Sequence, residues 1–297
     1  MATTVSAAQV KDLRERTGAG MMECKKALEA TGGDVERAIE ELRKSGRAKA
    51  DKKAGRIAAE GVILVRTLDD GSFAVMLEIN SETDFVARDA NFVAFSDALA
   101  KTALHAKVSD LQALLQLPLA GHAQMTVEEA RKALVAKVGE NINIRRLAAL
   151  SGKAGMVGMY THGNRIGVLA ELDIDNQELA KDIAMHIAAS KPLVISQQEV
   201  PSDLVAKEKE IYLAQAANSG KPQDIIEKMV TGKIKKFLDE VCLMGQPFVK
   251  DPDTLVANLL AKHRAKVVAF VRFEVGEGIE KESEDFVEAV MAQVHGS

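Results

Sequence analysis

Several features that mark particular protein classes are scarce or missing in this sequence. Its 297 residues contain no tryptophan and only two cysteines, Cys24 and Cys242, which lie in unrelated segments. Because neither cysteine has CxxC or CxxH spacing, a disulfide framework or a zinc site is not expected. Such cysteine usage is typical of a reducing cytosol. We therefore expect a cytoplasmic protein without a metal site.

A net positive charge and long apolar runs are also missing. The formal net charge is −4 and the calculated pI is about 6.0, so strong general affinity for nucleic acid is not expected. Aromatic residues make up only 4% of the chain, which disfavours a base-stacking surface. No run of about 18 apolar residues is present to cross a membrane. The N-terminus has acidic residues in a helical pattern rather than the apolar core of a signal peptide.

The motifs of common enzyme classes do not occur either. Gly18-Ala19-Gly20 lacks the third glycine and the preceding strand of a dinucleotide site, and Gly152-Lys153 is followed by alanine instead of the serine or threonine of a phosphate loop. Neither GxSxG nor HExxH is present. His186 has helical spacing with apolar residues and is expected in the core. For His162, at a predicted hairpin tip, an idle turn residue and a contact residue remain equal alternatives.

What is present is a globular composition with two kinds of periodicity. Hydrophobic residues make up 47% and charged residues 28%, and the length allows two or three domains. From residue 61 the apolar period changes to two, and a strand-turn-strand-helix pattern then occurs twice. The sequence therefore predicts an α+β fold with an internally duplicated core. The predicted strands are residues 61–68, 72–80, 155–161 and 165–173, and a fifth at 266–273 is predicted to return to the core sheet.

Residues 1–54 are predicted to form a small module of three helices followed by a basic linker. Ser6 and Gln9 have capping-box spacing, and Asp34 is placed to cap the third helix. Three helices of this size bury little apolar surface, so such a module is expected to dock on another surface. Residues 43–56 hold seven basic residues and one acid. A linker or solvated helix is the simple interpretation, and a nucleic-acid-binding arm is the alternative.

Two segments are predicted outside the core. Residues 195–243 have the pattern of an antiparallel helical hairpin, because glycine follows one helix and proline begins the next. Its predicted apolar seam is narrow, as in a coiled coil, and consists of Leu204, Ile211, Ile225, Met229 and Phe237. Residues 280–297 end in a short amphipathic helix that needs a surface to pack on. The core is then divided into a first half, 55–150, and a second half, 151–194 with 244–279.

The stretch Thr83-Asp84-Phe85-Val86 lies where a strand is predicted to give way to a helix. In one interpretation it is an ordinary helix start, with a cap at Ser81 or Thr83 and with Phe85 folded inward. In the other it is a rigid probe that presents Asp84 and Phe85 to another molecule. The second copy of the pattern has no phenylalanine at the matching place, 175–178, and this difference favours the second interpretation.

Four carboxylates near this stretch suggest a metal site, and a metal-dependent hydrolase that uses Glu78, Glu82 and Asp84 is a further alternative. They are Glu78, Glu82, Asp84 and Asp89. Glu78 is predicted on a strand, however, and the acids have neither the spacing nor the glycine turn of a calcium loop. The pattern therefore disfavours a metal site.

Five motifs, spread over essentially the full length, resemble those of the bacterial elongation factor Ts family. They are residues 10–28 (VKDLRERTGAGMMECKKAL), 83–86 (TDFV), 139–146 (GENINIRR), 162–169 (HGNRIGVL) and 245–249 (GQPFV). The chain departs from the family mainly at 104–124 and in the C-terminal tail, which leaves one connection and the docking of the tail open.

The resemblance implies a ubiquitin-associated-like N-terminal module, a two-part core, a protruding hairpin and a C-terminal docking helix. It also implies a nucleotide exchange factor without covalent chemistry or cofactor, whose partner is elongation factor Tu. Neither nucleic acid nor a membrane is an implied partner, and a dimer of heterodimers stays open. Thr83, Asp84, Phe85 and Val86 would lie beside the partner's magnesium and phosphate site. The other implied contacts are Arg14, Met21 and Met22 to the partner's nucleotide domain, and His162 and Gly163 to its third domain.

Overall fold

The computed structural model describes residues 5–217 and 222–280, and within them helices combine with small antiparallel sheets, which confirms the α+β class. The helices are α1 (Ala7–Thr17), α2 (Met21–Ala30), α3 (Val35–Lys53), α4 (Asp84–Ala87), α5 (Ala90–His105), α6 (Leu111–Gln116), α7 (Val127–Val138), α8 (Gln177–Ser190), α9 (Ser202–Ala217), α10 (Gln223–Val241) and α11 (Val256–His263). The strands are β1 (Glu60–Thr67), β2 (Phe73–Ser81), β3 (Pro118–Leu119), β4 (His122–Thr126), β5 (Ile142–Ser151), β6 (Met156–His162), β7 (Ile166–Leu172), β8 (Pro247–Phe248), β9 (Asp251–Leu255) and β10 (Val267–Glu274). The predicted C-terminal helix at 280–297 lies almost entirely outside the described residues.

Two three-stranded antiparallel sheets form the centre, with strand orders β1-β2-β5 and β10-β7-β6. In each sheet the second strand of a hairpin is central, and a strand from later in the chain pairs with its other edge. A two-stranded ribbon and a helix precede that later strand in both cases: β3-β4 with α7, and β8-β9 with α11. The repeated arrangement thus includes β5 and two ribbons that the periodicity did not predict.

The central strand β2 is buried on both faces, whereas alternation predicted only one buried face. Phe73, Val75, Leu77 and Ile79 do face one way, and Val75, Leu77 and Ile79 are fully buried. Met76, on the opposite face, is fully buried too, because it packs in a cluster with Leu169 of the other sheet. The two sheets therefore share a core layer, and helices cover their outer faces.

The basic run at 43–56 is not a linker, since α3 continues to Lys53. The helix lies against α7, where a Cβ at Gly46 would be 3.3 Å from the Cβ of Ala136. Arg47 is 2.5 Å from a Glu129 carboxylate oxygen. Since much of the basic charge has partners within the chain, the run has less to offer to phosphates, which disfavours the nucleic-acid-arm interpretation.

The helical hairpin is formed by α9 and α10, but its predicted seam is wrong in part. Ile211 and Ile225 are exposed, whereas the buried contacts come from Ala216, Ile226 and Val230. Both isoleucines lie next to residues of the true seam, because the facing helix selects which side of an amphipathic stripe is covered. The loop between the helices, 218–221, lies outside the described residues.

Close packing of β6 on α8 requires a glycine at residue 158. A Cβ there would lie 2.4 Å from the carbonyl carbon and oxygen of Ala180, which are backbone atoms and cannot rotate away. We expect Gly158→Ala to lower the free energy of unfolding by about 3 kcal/mol in urea titrations. Gly232→Ala is the control, because nothing lies within 4 Å of that Cβ, and it should raise the stability of α10 by about 1 kcal/mol. Equal effects of the two changes would contradict this account.

Candidate functional site

The stretch 83–86 begins a one-turn helix directly after the central strand β2. Thr83 is its N-cap, and the Thr83 hydroxyl oxygen accepts a hydrogen bond from the Val86 N–H at 3.4 Å. The Ser81 hydroxyl donates to the Thr83 carbonyl oxygen at 2.8 Å. The capping part of the helix-start interpretation is therefore confirmed, with Thr83 as the cap.

Phe85 does not fold inward, so the other part of that interpretation is wrong. Its side chain is 81% exposed, the highest value among the large apolar side chains described. Ala87 is buried and Val86 packs partly against the core, so these two neighbours anchor the turn. In a helix of four residues only one side can face the core, and Phe85 is on the other side. An aromatic ring is thus presented to solvent on a turn that is held from beneath.

The carboxylate of Glu140, in the connection from α7 to β5, binds both donors of Thr83. It accepts from the Thr83 N–H at 3.0 Å and from the Thr83 hydroxyl at 2.7 Å. The next residue, Asn141, donates its N–H to Glu82 at 2.6 Å. The sequence gives no sign of this role for Glu140, although the residue lies in the 139–146 motif, because Glu140 and Thr83 are far apart in the chain.

The four carboxylates of the metal alternative are occupied by donors of the protein itself. Glu82 accepts from Asn141, Asp84 pairs with Arg88 at 2.7 Å, and Asp89 caps α5. Glu78 is fully buried against two arginines. Within the described ranges no group of three or more histidine, cysteine, aspartate or glutamate side chains is placed to hold a metal ion.

Glu78 connects the first sheet to the end of β10. Burial alone would raise its pKa, but the Gly276 N–H, the Asn80 amide and the guanidinium groups of Arg145 and Arg146 all donate to the carboxylate, and together they hold the pKa below its ordinary value. A β-bulge opposite Glu78 lets both arginines of β5 reach it. Arg146 also stacks over the Phe273 ring, with 4.0 Å from the guanidinium carbon to the ring centre. The carboxylate is therefore structural and ionised at neutral pH.

The other predicted contact residues are all exposed. Met21 and Met22, in the first turn of α2, are 58% and 63% exposed, and Arg14 is exposed on α1. His162 and Gly163 form the exposed β6–β7 turn, which is joined to β1 by a 2.7 Å hydrogen bond from the Ile63 N–H to the Asn164 carbonyl oxygen. These residues therefore lie on the protein surface, on three different elements: α1, α2 and the β6–β7 turn.

His186 is a core residue, as its spacing predicted. It is fully buried, its Nδ1 accepts from the Val249 N–H at 3.2 Å, and its Nε2 lies 2.9 Å from Gln246 Oε1. Burial lowers the pKa of the imidazole, and the Gln246 hydrogen bond only partly opposes this. Nδ1 can accept only when it carries no proton, so His186 is neutral and Nε2 is the donor. The 245–249 motif is thereby anchored on α8.

The fold and the exposed residues define a class of protein. Aromatic and methionine side chains exposed on an α+β scaffold are typical of proteins that act by binding another macromolecule. No helix in the described part of the chain is long and apolar enough to cross a bilayer.

Comparison with known proteins identifies the family. Residues 82–277 match the family model for elongation factor TS. The chain is 58% identical over 295 residues to elongation factor Ts of Thioalkalivibrio sulfidiphilus, covering 99% of this chain and 100% of that protein. It is 58% identical over 292 residues to the protein of the same name from Legionella pneumophila (98% and 99% covered), and 56% identical over 295 residues to that from Coxiella burnetii (99% and 99%). The chain belongs to the elongation factor Ts family, which confirms the predicted resemblance and supports a role in translation elongation.

Proposed function

We propose that this chain is the guanine nucleotide exchange factor of elongation factor Tu, and that it promotes release of GDP so that GTP can bind. Exchange breaks no covalent bond, so the proposed activity needs no catalytic residues of the kind found in enzymes. It requires only that the factor bind the empty partner more tightly than the nucleotide-bound partner. By linkage, each of the two ligands then weakens the binding of the other by the same factor.

The exposed Phe85 on its clamped turn is the observation that carries this proposal. A phenylalanine ring that stays in water forgoes about 2–3 kcal/mol of burial free energy, which a complementary pocket on a partner would supply. Inserted beside the partner's magnesium and phosphate site, the ring would act as a wedge between packed elements. The Thr83 hydrogen bond and the packing of Val86 hold the turn in place. Phe85 would therefore keep its orientation on contact with the partner instead of folding back.

Asp84 is available to act beside it. Its pair with Arg88 at 2.7 Å is an exposed i,i+4 ion pair, a type that contributes little stability and is readily exchanged for another partner. In the proposed complex the Asp84 carboxylate competes for groups that hold the partner's Mg²⁺. Loss of the ion removes the charge that neutralises the phosphates, so the affinity for GDP falls.

The remaining contacts supply the binding free energy that this distortion costs. Arg14, Met21 and Met22 would grip the nucleotide domain of the partner, and His162 with Gly163 would meet its third domain. A grip spread over several elements is typical of large interfaces. The division into 1–54, the two core halves, the hairpin 195–243 and the tail 280–297 remains a prediction, as does any dimer formed through the hairpin.

The proposal is tested by release of fluorescent GDP from purified elongation factor Tu. The full-length chain, added at one tenth of the partner's concentration, should accelerate release of the whole GDP pool, because an exchange factor turns over. No acceleration would exclude the proposed function. Salt-sensitive RNA binding by the chain would then support the nucleic-acid alternative.

A further inference from the structure

The one-turn helix that carries Phe85 has little stability of its own. A helix of four residues cannot offset the cost of helix nucleation, and its exposed phenylalanine adds no packing in the free protein. Val86 and Ala87 contact the core, but they do not determine how the Thr83 end is directed. Among the described residues, Glu140 is the only one outside 81–88 that forms hydrogen bonds with Thr83.

Glu140 also determines what the Thr83 hydroxyl can do. A carboxylate only accepts, so the Thr83 hydroxyl must direct its proton toward Glu140 at 2.7 Å. The oxygen lone pairs are then free to accept the Val86 N–H at 3.4 Å. The hydroxyl that caps the turn is therefore oriented by a side chain 57 positions away in the chain. Both bonds to Glu140 are charge-assisted and form a bidentate pair, which fixes direction as well as distance.

The connection that carries Glu140 is itself held between the turn and the N-terminal module. On one side Asn141 donates its N–H to Glu82 at 2.6 Å. On the other side the Asn141 side-chain amide donates to the Arg56 carbonyl oxygen at 2.7 Å, and Lys53 at the end of α3 donates to the Gly139 carbonyl oxygen. The connection 139–141 thus joins α3, which packs against α2 with its exposed methionines, to the turn that presents Phe85.

We propose that Glu140, anchored by Asn141, is a positioning residue of the exchange reaction: it holds the Phe85 turn in one orientation relative to the N-terminal module. This inference rests on the proposed function. A Phe85 turn fixed in direction uses its contact free energy to distort the partner and not to order the turn itself, so its loss lowers the maximal rate more than it raises the half-saturating concentration. Glu140 touches neither nucleotide nor metal in this account and acts only through Thr83.

The first test compares Glu140→Ala with the matched control Glu199→Ala. Glu199 makes the same kinds of bond far from the turn, to the Ser196 hydroxyl at 2.6 Å and to the Ile195 N–H at 3.4 Å. In the fluorescent-GDP assay, Glu140→Ala should lower the maximal release rate about tenfold and change the half-saturating concentration less than about twofold. Glu140→Gln keeps an acceptor for the Thr83 N–H and should give an intermediate rate. Glu199→Ala should match the unmodified protein, and equal effects of the two alanine variants would overturn the proposal.

Hydrogen exchange measured on the free protein gives a second readout that does not depend on the partner. In Glu140→Ala the Val86 amide should exchange faster, although its own acceptor Thr83 Oγ is still present; unchanged protection at Val86 would also overturn the proposal.

Should Glu140→Ala not fold, Thr83→Val removes the hydroxyl at nearly constant shape, and Thr83→Ser is its control. If the unmodified chain did not accelerate GDP release from the partner, the proposed function would be refuted. The rate of hydrogen exchange at the Val86 amide would still decide the positioning role.

Discussion

Replacing Phe85 by alanine should slow the maximal rate of GDP release by about 30- to 140-fold. The wedge supplies about 2–3 kcal/mol of burial that is realised only when the partner is distorted, and each 1.4 kcal/mol of barrier is a factor of ten in rate. The half-saturating concentration should change much less, because the N-terminal module and the second core half still bind. The measurement is a titration of the release rate against the concentration of the variant.

Two controls separate the wedge from simpler explanations. Because Phe85 is 81% exposed, its removal should change the free energy of unfolding by less than about 0.5 kcal/mol, so a folding defect cannot account for the loss. Met22→Ala removes another exposed apolar side chain, but one assigned to grip, and it should raise the half-saturating concentration without lowering the maximal rate. If both variants changed only the half-saturating concentration, Phe85 would be an ordinary contact residue.

Replacing Glu78 by glutamine should destabilise the fold by about 3–5 kcal/mol at neutral pH. The side chain is fully buried and accepts from Arg145, Arg146, Asn80 and Gly276. A glutamine leaves the partly buried Arg145 guanidinium without a carboxylate partner, leaves Arg146 only the longer contact with Glu277 at 3.6 Å, and turns an NH2 group toward other donors. Glu277→Gln is the matched control in the same ionic cluster. Glu277 is about one-third exposed, so its loss should cost less than about 1 kcal/mol in urea titrations.

The Glu78 effect has a defined pH dependence. The pKa of Glu78 is lower in the folded protein than its ordinary value, so the carboxylate stabilises the fold fully above that ordinary value, near 4.5. The contribution is lost as the pH falls through the folded pKa. The stability difference between the unmodified protein and Glu78→Gln should therefore be constant from pH 8 to about pH 6 and shrink below about pH 4. A difference that grew on acidification would contradict this assignment.

Strong periodicity was a good guide to the elements. The five predicted strands match β1, β2, β6, β7 and β10 to within about two residues. The third strand β5 was not predicted, because the adjacent Arg145 and Arg146 break the alternation at the bulge that turns both of them toward Glu78. The ribbons were not predicted because each pairs a strand of two residues with one of five, which is too short to show a clear period.

The candidate site was only partly readable from the sequence. A cap at Thr83 follows from local chemistry, since a hydroxyl before a helix satisfies a free N–H group. Whether Phe85 packs inward or faces solvent is not a local question. The direction of the ring depends on how the four-residue helix is rotated about its axis relative to the core. Glu140, from a different part of the chain, holds that orientation through its two bonds to Thr83.

The sequence by itself determined the α+β class, the helices and strands with clear periods, and membership of the elongation factor Ts family. These follow from side-chain periodicity and from long ordered motifs, both of which are properties of neighbouring residues. Only the tertiary structure decided that β2 is buried on both faces, that α3 packs on α7, and that Phe85 projects into solvent. Each of these depends on which surface, distant in the sequence, covers a residue. Hydrophobic periodicity is a property of neighbouring residues, whereas burial depends on the element that packs across the core.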